Sequence, residues 1–321
     1  MKKIIDDTRM IFKCCSLYYE DGLSQQEICH SLGISRPSVS RMIKMGKEQG
    51  IVKIEIKSPY GVTFGKIERD LEKKFNLKEV IVADSSPIAT GHERTSSKLV
   101  EESIGFLEKS LEDGEYVGVT MGMTLQNLTR MQEVIEEPIK CTFVPIVGGI
   151  GESRADIHSN YIAMELAKMF GGECIQFFAP AVFSNADVLN GFMKENSVKS
   201  IFKIFRKINT VIMGIGIPDR AGSTLMQTGY VDESILEEFL QSGAVGDISL
   251  QFFDRSGNVE KFRGFNERVA GMPIAQLKKV PRRIGIAGGS EKAEAVYGAI
   301  KGNFLNILIT DVDCAKALLE M

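Results

Sequence analysis

From Val80 to the C-terminus, short apolar runs alternate with segments of helical length, and this alternation limits the folds that the chain can adopt. Such a rhythm is typical of a mostly parallel sheet flanked by helices. The run at 247–253 leads into Asp254-Arg255-Ser256-Gly257, which predicts a strand that enters a hairpin turn. We therefore predict an α/β domain with a Rossmann-like sheet over residues 78–321. The predicted strands are 80–83, 116–119, 141–146, 174–178, 210–214, 247–253, 283–287 and 307–310.

Residues 1–58 have a different pattern, which predicts a small domain of three short helices. In the second helix, Ser24 is the predicted N-cap and Glu27 has the capping-box spacing. Gly33 ends this helix, and Ser35 is the predicted cap of the third. In the first helix we expect a buried stripe at Ile11, Leu17, Tyr18 and Tyr19. In the third helix we expect Pro37 in the first turn, inward-facing Val39, Met42 and Ile43, and an end at Gly50. A short strand at 51–56 would then form the wing.

The second and third helices meet the requirements of a helix-turn-helix motif between Ser24 and Met45. A small residue, Gly33, separates the helices, and the second of them has a polar face that can reach bases and phosphates. We expect Arg36 and Ser38 to contact bases, because the first residues of a recognition helix enter the groove. The alternative is an ordinary three-helix subdomain with a solvated polar face. The predicted DNA-binding residues are Gln25, Ser35, Arg36, Ser38, Ser40, Arg41 and Lys44, of which Ser40, Arg41 and Lys44 are expected to anchor the backbone.

The distribution of charge agrees with DNA binding at the N-terminus. The whole chain has a net charge of −3, yet residues 1–57 contain ten Lys and Arg against seven Asp and Glu, which leaves +3 there and −6 in the remainder. A basic N-terminal region favours binding to DNA, and the acidic remainder of the chain favours a different ligand there.

Composition excludes several other classes of protein. The chain has no run of about 18 apolar residues, so we expect no transmembrane helix. Its N-terminus lacks the apolar stretch of a secretory signal, and we expect a cytoplasmic location. The six cysteines form no CxxC pair and the three histidines are scattered, so we expect no metal site and no cofactor.

Four glycine-containing turns follow predicted strands. Gly122-Met123-Thr124 and Gly288-Gly289-Ser290 each lie between a strand and a helix, and Thr124, Ser290 and Lys292 can donate to a phosphate. The N-terminus of a helix offers free N–H groups to an anion, and glycine allows close approach. Each turn alone is also explained by chain geometry, but together they favour a phosphorylated ligand at the carboxyl edge of the sheet. The other two turns are Pro145–Gly149 and Gly214-Ile215-Gly216.

A helix is predicted between the two domains. Phe64, Ile67, Leu71 and Phe75 recur at spacings of three and four residues, which predicts an amphipathic connecting helix within residues 59–77.

The arrangement of these motifs resembles the SorC family of bacterial sugar-responsive regulators, and the resemblance covers nearly the whole chain. The family's effector domain is similar to sugar-phosphate isomerases and glucosamine-6-phosphate deaminases. The resemblance implies a tetramer that binds a palindromic operator, a sugar-phosphate effector that loosens DNA binding, and no enzymatic activity. It is carried by Leu23–Met45, Gly118–Thr124, Pro145–Gly149, Ala179-Pro180, Gly214–Gly216, Gly246–Ile248, Gly288–Lys292 and Leu308–Asp311.

The resemblance also implies which residues bind the effector. Gly122, Met123, Thr124, Ser290 and Lys292 would bind its phosphate. Asp247 would bond a sugar hydroxyl, and Gly148, Gly149 and Gly289 would belong to the same site.

Two features depart from the family pattern. The chain has no tryptophan, which the family commonly places in the first loop. The position ahead of Gly148-Gly149, where some members have a reactive lysine, is Val147, so we expect no Schiff base there.

Two other functions are alternatives to a repressor. A sugar-phosphate isomerase or deaminase with a DNA-binding extension would need an acid/base pair, for which Asp247 and His158 are the candidates. A redox sensor would use Cys14 and Cys15, but only Lys13 lies nearby to lower a thiol pKa, so buried packing is the preferred interpretation.

Overall fold

The computed structural model describes residues 8–53, 63–85, 97–130, 135, 137–149, 154–219, 226 and 228–321. The chain divides into two compact units, Met1–Thr63 and Phe64–Met321. Within the described residues, no helix is both long and apolar enough to span a bilayer.

The first unit contains the three predicted helices, α1 (Thr8–Tyr19), α2 (Gln25–Leu32) and α3 (Arg36–Glu48). The capping box at the start of α2 is confirmed: Glu27 N–H donates to Ser24 Oγ at 3.3 Å, and Ser24 N–H donates to Glu27 Oε2 at 2.8 Å. Gly33 ends α2 in the left-handed region, with φ +64°. Ser35 occupies the N-cap position of α3, but its hydroxyl bonds Ser38 Oγ at 2.9 Å instead of capping the helix.

The core of this unit corrects one expectation about α1. Tyr19 is 37% exposed, and Leu17 and Tyr18 are only half-buried. Cys14 and Cys15 are the residues that lie one turn from Ile11 on the inner face, because side chains three and four apart share a helix face. The buried set is Ile11, Cys14, Cys15, Ile28, Val39, Met42 and Ile43.

The predicted wing lies mostly outside the described residues. Residues 51–53 follow α3 as a bend, with Val52 N–H donating to Gly46 O at 3.0 Å. Residues 54–56 are not described.

The second unit is built on a seven-stranded parallel sheet with the strand order β1-β9-β8-β5-β2-β3-β4. A separate antiparallel ribbon consists of β6 and β7. The predicted α/β class is confirmed. The strands are β1 Glu79–Ala83, β2 Tyr116–Val119, β3 Thr142–Pro145, β4 Glu173–Cys174, β5 Thr210–Gly214, β6 Ala244–Ile248, β7 Gln251–Asp254, β8 Arg282–Ala287 and β9 Ile307–Asp311.

Helices cover both faces of the sheet, and alternate residues of a strand enter different cores. Val80 and Val82 belong to one apolar cluster, while Ile81 and Ala83 pack in the other, as the two-residue period of a strand requires. The helices are α4 Gly65–Phe75, α5 Ser97–Ser110, α6 Met123–Thr129, α7 Ser159–Phe170, α8 Ala186–Phe192, α9 Asn196–Phe205, α10 Glu233–Gln241, α11 Arg263–Asn266, α12 Ile274–Leu277, α13 Ala293–Lys301 and α14 Val312–Glu320.

The predicted connecting helix, α4, packs against the sheet domain. Leu71 is fully buried there, and two carboxylates of α4 cover the outer edge of β1. Val82 N–H donates to Glu68 Oε1 and Val80 N–H donates to Glu72 Oε1, both at 3.0 Å. These bonds satisfy groups that an edge strand leaves unpaired.

Two predicted strands are wrong in extent. Of the run at 174–178 only Cys174 is in a strand, β4 Glu173–Cys174, and farther along the run the Asn160 side chain takes both backbone groups of Phe177 (Nδ2 to O 2.9 Å, N to Oδ1 2.8 Å). The run at 247–253 is broken by a turn at Ser249 and Leu250 into parts of β6 and β7.

Candidate functional site

The strand order places a topological switch between β2 and β5. After β2 the chain adds β3 and β4 on one side, and it then returns to place β5 on the other side. Loops that leave such neighbouring strands diverge and open a crevice at the carboxyl edge, where ligands bind in parallel sheets. The loops after β2 and β5 touch here: Gly214 N–H donates to the buried Thr120 Oγ1 at 3.2 Å.

The predicted phosphate loops after β2 and β8 meet at this edge. Gly122 has φ +125° and lies directly before α6, where Met123 is half-buried and Thr124 is buried. Lys292 Nζ, which comes from the loop after β8, donates to Thr124 Oγ1 at 3.5 Å across a separation of 168 residues. An ammonium and a hydroxyl at this distance can bind the same anion.

Asp247 is a buried carboxylate in the β6–β7 ribbon. Burial raises its pKa to about 6, while the bond from Leu250 N–H (3.1 Å) and the charge of Lys292 act in the opposite direction. Backbone bonds between Asp247 and Gly216 (3.0 and 3.2 Å) attach the ribbon to the loop after β5. A Cβ on Gly216 would lie 2.0 Å from Asp247 Oδ1, so a larger residue there would displace this carboxylate.

A tight hairpin turn gives Asp247 its position. Ser249 and Leu250 have φ +53° and +64°, two consecutive left-handed residues, as in a two-residue type I′ connection. Neither is glycine or asparagine, so the turn carries backbone strain, and the carboxylate of Asp247 accepts the N–H of Leu250 within it.

The loop after β3 is tightly packed. Gly148 N–H already donates to Ala270 O at 2.8 Å, and a Cβ on Gly148 would lie 2.7 Å from the carbonyl oxygens of Ala179 and Pro180. The amide of Gly148 is therefore engaged within the protein, and glycine is needed for this close packing.

Next to that loop lies a pair of ring side chains. A Cβ on Gly149 would lie 2.7 Å from Nδ1 of His158, and this nitrogen is 3.4 Å from the hydroxyl of Tyr230. Burial raises the pKa of Tyr230 to about 12, so the phenol is neutral and can donate. The structure thus places His158 beside Gly149.

The turn after β8 is fixed by an aspartate from the next strand. Gly289, with φ +94°, donates its N–H to Asp311 Oδ2 at 2.7 Å. Asp311 Oδ1 accepts the N–H of Cys314 at 2.9 Å and so caps α14. Ser290 is exposed and begins a short 3-10 turn that includes Lys292.

Sequence reasoning found the loops but missed two residues that shape them. Thr120 and Asp311 were not among the predicted site residues, although both follow predicted strands. An aspartate at the end of a strand and before a helix is an N-cap signal that could have identified Asp311. For Thr120, whose partner lies 94 residues away, the sequence contains no comparable signal.

In the first unit, α3 presents a cationic face. Arg36, Ser40 and Lys44 are exposed at spacings of four residues, opposite the buried side of the helix. Arg41 is also exposed, and its Nε donates to Pro37 O at 3.4 Å. Lys44 forms an exposed ion pair with Glu48 at 3.8 Å. Ser38 and Gln25 are half-buried, and Ser35 is exposed.

Cys14 and Cys15 lie inside the first unit and have the properties of packing residues. Burial, together with the nearby Cys15 and Cys29, raises the pKa of Cys14 to about 11, and burial also raises the pKa of Cys15. A raised thiol pKa leaves little reactive thiolate at neutral pH.

Residues 63–320 match Sugar-bind, a family of sugar-binding domains. The chain is 30% identical to the sorbitol operon regulator of Klebsiella pneumoniae over 316 residues, which cover 98% of this chain and 99% of that protein. It belongs to the SorC family. This member is a sugar-responsive transcriptional regulator.

Other relatives agree with this assignment. The chain is 31% identical to the deoxyribonucleoside regulator of Bacillus subtilis, with 97% of each chain covered. The crystal structure of the full-length Klebsiella pneumoniae sorbitol operon regulator SorC matches this SorC-family chain with a TM-score of 0.74, and the match covers 98% and 99% of the two chains.

Proposed function

We propose that a phosphorylated sugar binds at the carboxyl edge of the sheet and thereby controls the affinity of the protein for operator DNA. The observation that carries this proposal is the meeting of Lys292 with Thr124, because it brings a cation and a hydroxyl from two distant loops to one point. Charged hydrogen bonds of this kind are the usual means of binding phosphate.

Asp247 supports a sugar as the remainder of the ligand. Its buried carboxyl lies close enough to Lys292 for the two charges to interact, so both ends of a sugar phosphate would find partners within one crevice. Gly122, Met123, Gly149, Gly289 and Ser290 would line the site, and Gly148 would contribute by packing.

The exposed face of α3 would bind DNA. Arg36 and Ser38 would contact bases, while Ser40, Arg41, Lys44, Ser35 and Gln25 would position the helix through the backbone. The effector can change DNA affinity only if it favours one arrangement of the protein over another.

We further propose that the protein is a repressor of a sugar-catabolic operon and works in the cytoplasm. It would form a tetramer and bind a palindromic operator. The printed names of two relatives, a sorbitol operon regulator and a deoxyribonucleoside regulator, support control of a carbohydrate operon.

DNA binding by the full chain tests this function. The Kd for a labelled DNA fragment from the region upstream of the protein's own gene is measured by fluorescence anisotropy. The titration is repeated with hexose, hexitol and pentose phosphates, and each is compared with its unphosphorylated form. We expect at least one phosphate to change the Kd for DNA by about 5- to 150-fold. A panel without effect on DNA binding or thermal stability would contradict the proposal.

A lysine variant identifies the site. Lys292→Gln removes the ammonium, so we expect the affinity for the active phosphate to fall by about 10- to 100-fold while DNA binding without effector stays unchanged. Lys301→Gln, at the exposed end of α13, is the matched control and should behave as wild type.

The alternative function is that of a sugar-phosphate isomerase or deaminase. We propose that the chain has no such activity. One observation favours the alternative: Asp247, with a pKa of about 6, titrates in the range of a general base. Incubation with fructose 6-phosphate and glucosamine 6-phosphate, followed by product analysis, distinguishes the two, and turnover abolished by Asp247→Asn would establish the enzyme.

A further inference from the structure

Asp311 connects the Gly288–Gly289 turn to the C-terminal helix. One oxygen of its buried carboxylate accepts the N–H of Gly289 at 2.7 Å, and the other accepts the N–H of Cys314 at 2.9 Å, in the first turn of α14. Thr310 Oγ1, one residue earlier, donates to Ala287 O at 2.7 Å. The start of the turn and the start of α14 are therefore fixed to each other.

The turn packs closely against this carboxylate. A Cβ on Gly288 would lie 2.6 Å from Asp311 Oδ2 and 2.8 Å from Leu99 Cδ2. Because Gly289 has a left-handed backbone and donates its only N–H to Asp311, a change in the path of the turn must change this hydrogen bond.

The far end of α14 packs on α4. Leu318 and Ala315 share an apolar cluster with Leu71, and Lys74 Nζ donates to Leu319 O at 2.7 Å. Among the described helices of the second unit, Phe64–Met321, α4 comes first in the sequence. The contacts with α14 therefore help to hold α4 in its place on the sheet domain.

We propose that Asp311 is a positioning residue that couples occupancy of the Gly288–Gly289 turn to α14 and, through it, to α4. This inference rests on the proposed function, in which the turn lies at the phosphate site. A phosphate that draws the Gly289 amide towards itself weakens the bond to Oδ2. The carboxylate then reorients, and since its other oxygen caps α14, the first turn of that helix follows.

Two substitutions separate coupling from helix stability. In Asp311→Asn the single oxygen still caps α14, as asparagine does well, but the amide group cannot accept the N–H of Gly289. Asp311→Ala removes both bonds, and its melting temperature without ligand should fall below that of the asparagine variant. Asp232→Asn is the control, because Asp232 caps α10 in the same way, through the N–H of Ile235.

Hydrogen exchange of the full chain, read by mass spectrometry, is the measurement, and inorganic phosphate is the probe. Each variant is compared at phosphate concentrations well above its own measured Kd, with chloride at equal ionic strength as reference. In the wild type, phosphate should change exchange in peptides covering 286–292, 312–320 and 65–75. In Asp311→Asn we expect the change at 286–292 to persist and the changes at 312–320 and 65–75 to be lost.

The outcomes support or overturn the proposed role of Asp311 as follows. A response in 312–320 and 65–75 that survives in Asp311→Asn overturns the coupling role, as does a wild type whose response is confined to 286–292. A wild type that binds no phosphate overturns the phosphate site and the coupling together. Wild-type behaviour in Asp232→Asn with loss in Asp311→Asn supports the role of Asp311.

Discussion

The two candidate sites of this molecule are constructed in opposite ways. The candidate DNA-binding face lies mainly on one helix, α3, and its charged side chains are exposed, so the core beneath them does not depend on them. The candidate effector site is assembled from loops after β2, β5 and β8 and from the β6–β7 ribbon, and two of its polar side chains, Thr124 and Asp247, are buried.

Because of this difference, substitutions at the two sites should affect stability and ligand binding differently. An exposed cation can be removed at little cost in stability, because water solvates the truncated surface. A buried carboxylate such as Asp247 has been taken out of water, so its removal changes the stability of the fold as well as the affinity for ligand.

Asp247→Asn should separate stability from effector binding. The folded pKa, about 6, lies above the ordinary value of 3.8, so protonation favours the folded state. That stabilisation is complete below about pH 4 and is lost as the pH rises through 6. The variant should therefore be more stable than wild type at pH 8, by up to about 3 kcal/mol, and should bind effector more weakly. Thermal unfolding at pH 4 and pH 8 measures the difference.

Asp254→Asn is the comparison for that experiment and should have the opposite effect. Burial raises the pKa of Asp254, but hydrogen bonds from Ser256 and Asn258 outweigh burial and lower it overall. Its stabilising contribution is present at neutral pH and is lost on acidification, so this variant should be less stable than wild type at pH 8. Equal stability of both variants and wild type would contradict the contrast.

Arg36→Ala should weaken DNA binding without changing stability. Loss of a base contact costs about 1–3 kcal/mol, which corresponds to about a 5- to 150-fold higher Kd. Anisotropy titration measures the Kd, and thermal unfolding should give a wild-type melting temperature. Lys13→Ala, an exposed cation on α1, is the matched control for the loss of one charge. A Kd that rises equally in both variants would assign only nonspecific attraction to Arg36.

Ser24→Ala should destabilise the first unit alone. The substitution removes the capping oxygen of α2, which is worth about 1 kcal/mol. Chemical denaturation followed by hydrogen exchange in peptides of α1–α3 measures this loss. Ser31→Ala, an exposed position inside α2, is the control and should show little change.

Oxidation should have the smallest effect. Because burial raises the thiol pKa of Cys14 and Cys15, brief treatment with hydrogen peroxide should leave the Kd for DNA unchanged. A Kd that shifts in the wild type but not in a Cys14→Ser, Cys15→Ser double variant would revive the redox sensor.

Local signals in the sequence were sufficient for much of the fold. The capping box at Ser24, the end of α2 at Gly33 and the strands β2, β5 and β8 were all predicted close to their observed bounds, because each depends on neighbours in the chain. Two strands were predicted with the wrong extent. Beyond β4, the Asn160 side chain takes the backbone groups of Phe177 from 17 residues away. The strained turn at Ser249 and Leu250 is local, but neither residue is of a type that favours positive φ, so the run looks continuous.

The class of the fold, the helix-turn-helix face and the set of glycine turns could be predicted from the amino-acid sequence. Which turns meet depends on tertiary packing, which joins Lys292 to Thr124, engages the amide of Gly148 elsewhere, and places Asp311 between the Gly289 turn and α14. Helix caps and apolar periods act over a few residues and are visible in a sequence. The order of strands in a sheet depends on packing between remote segments, and it alone brings these loops together.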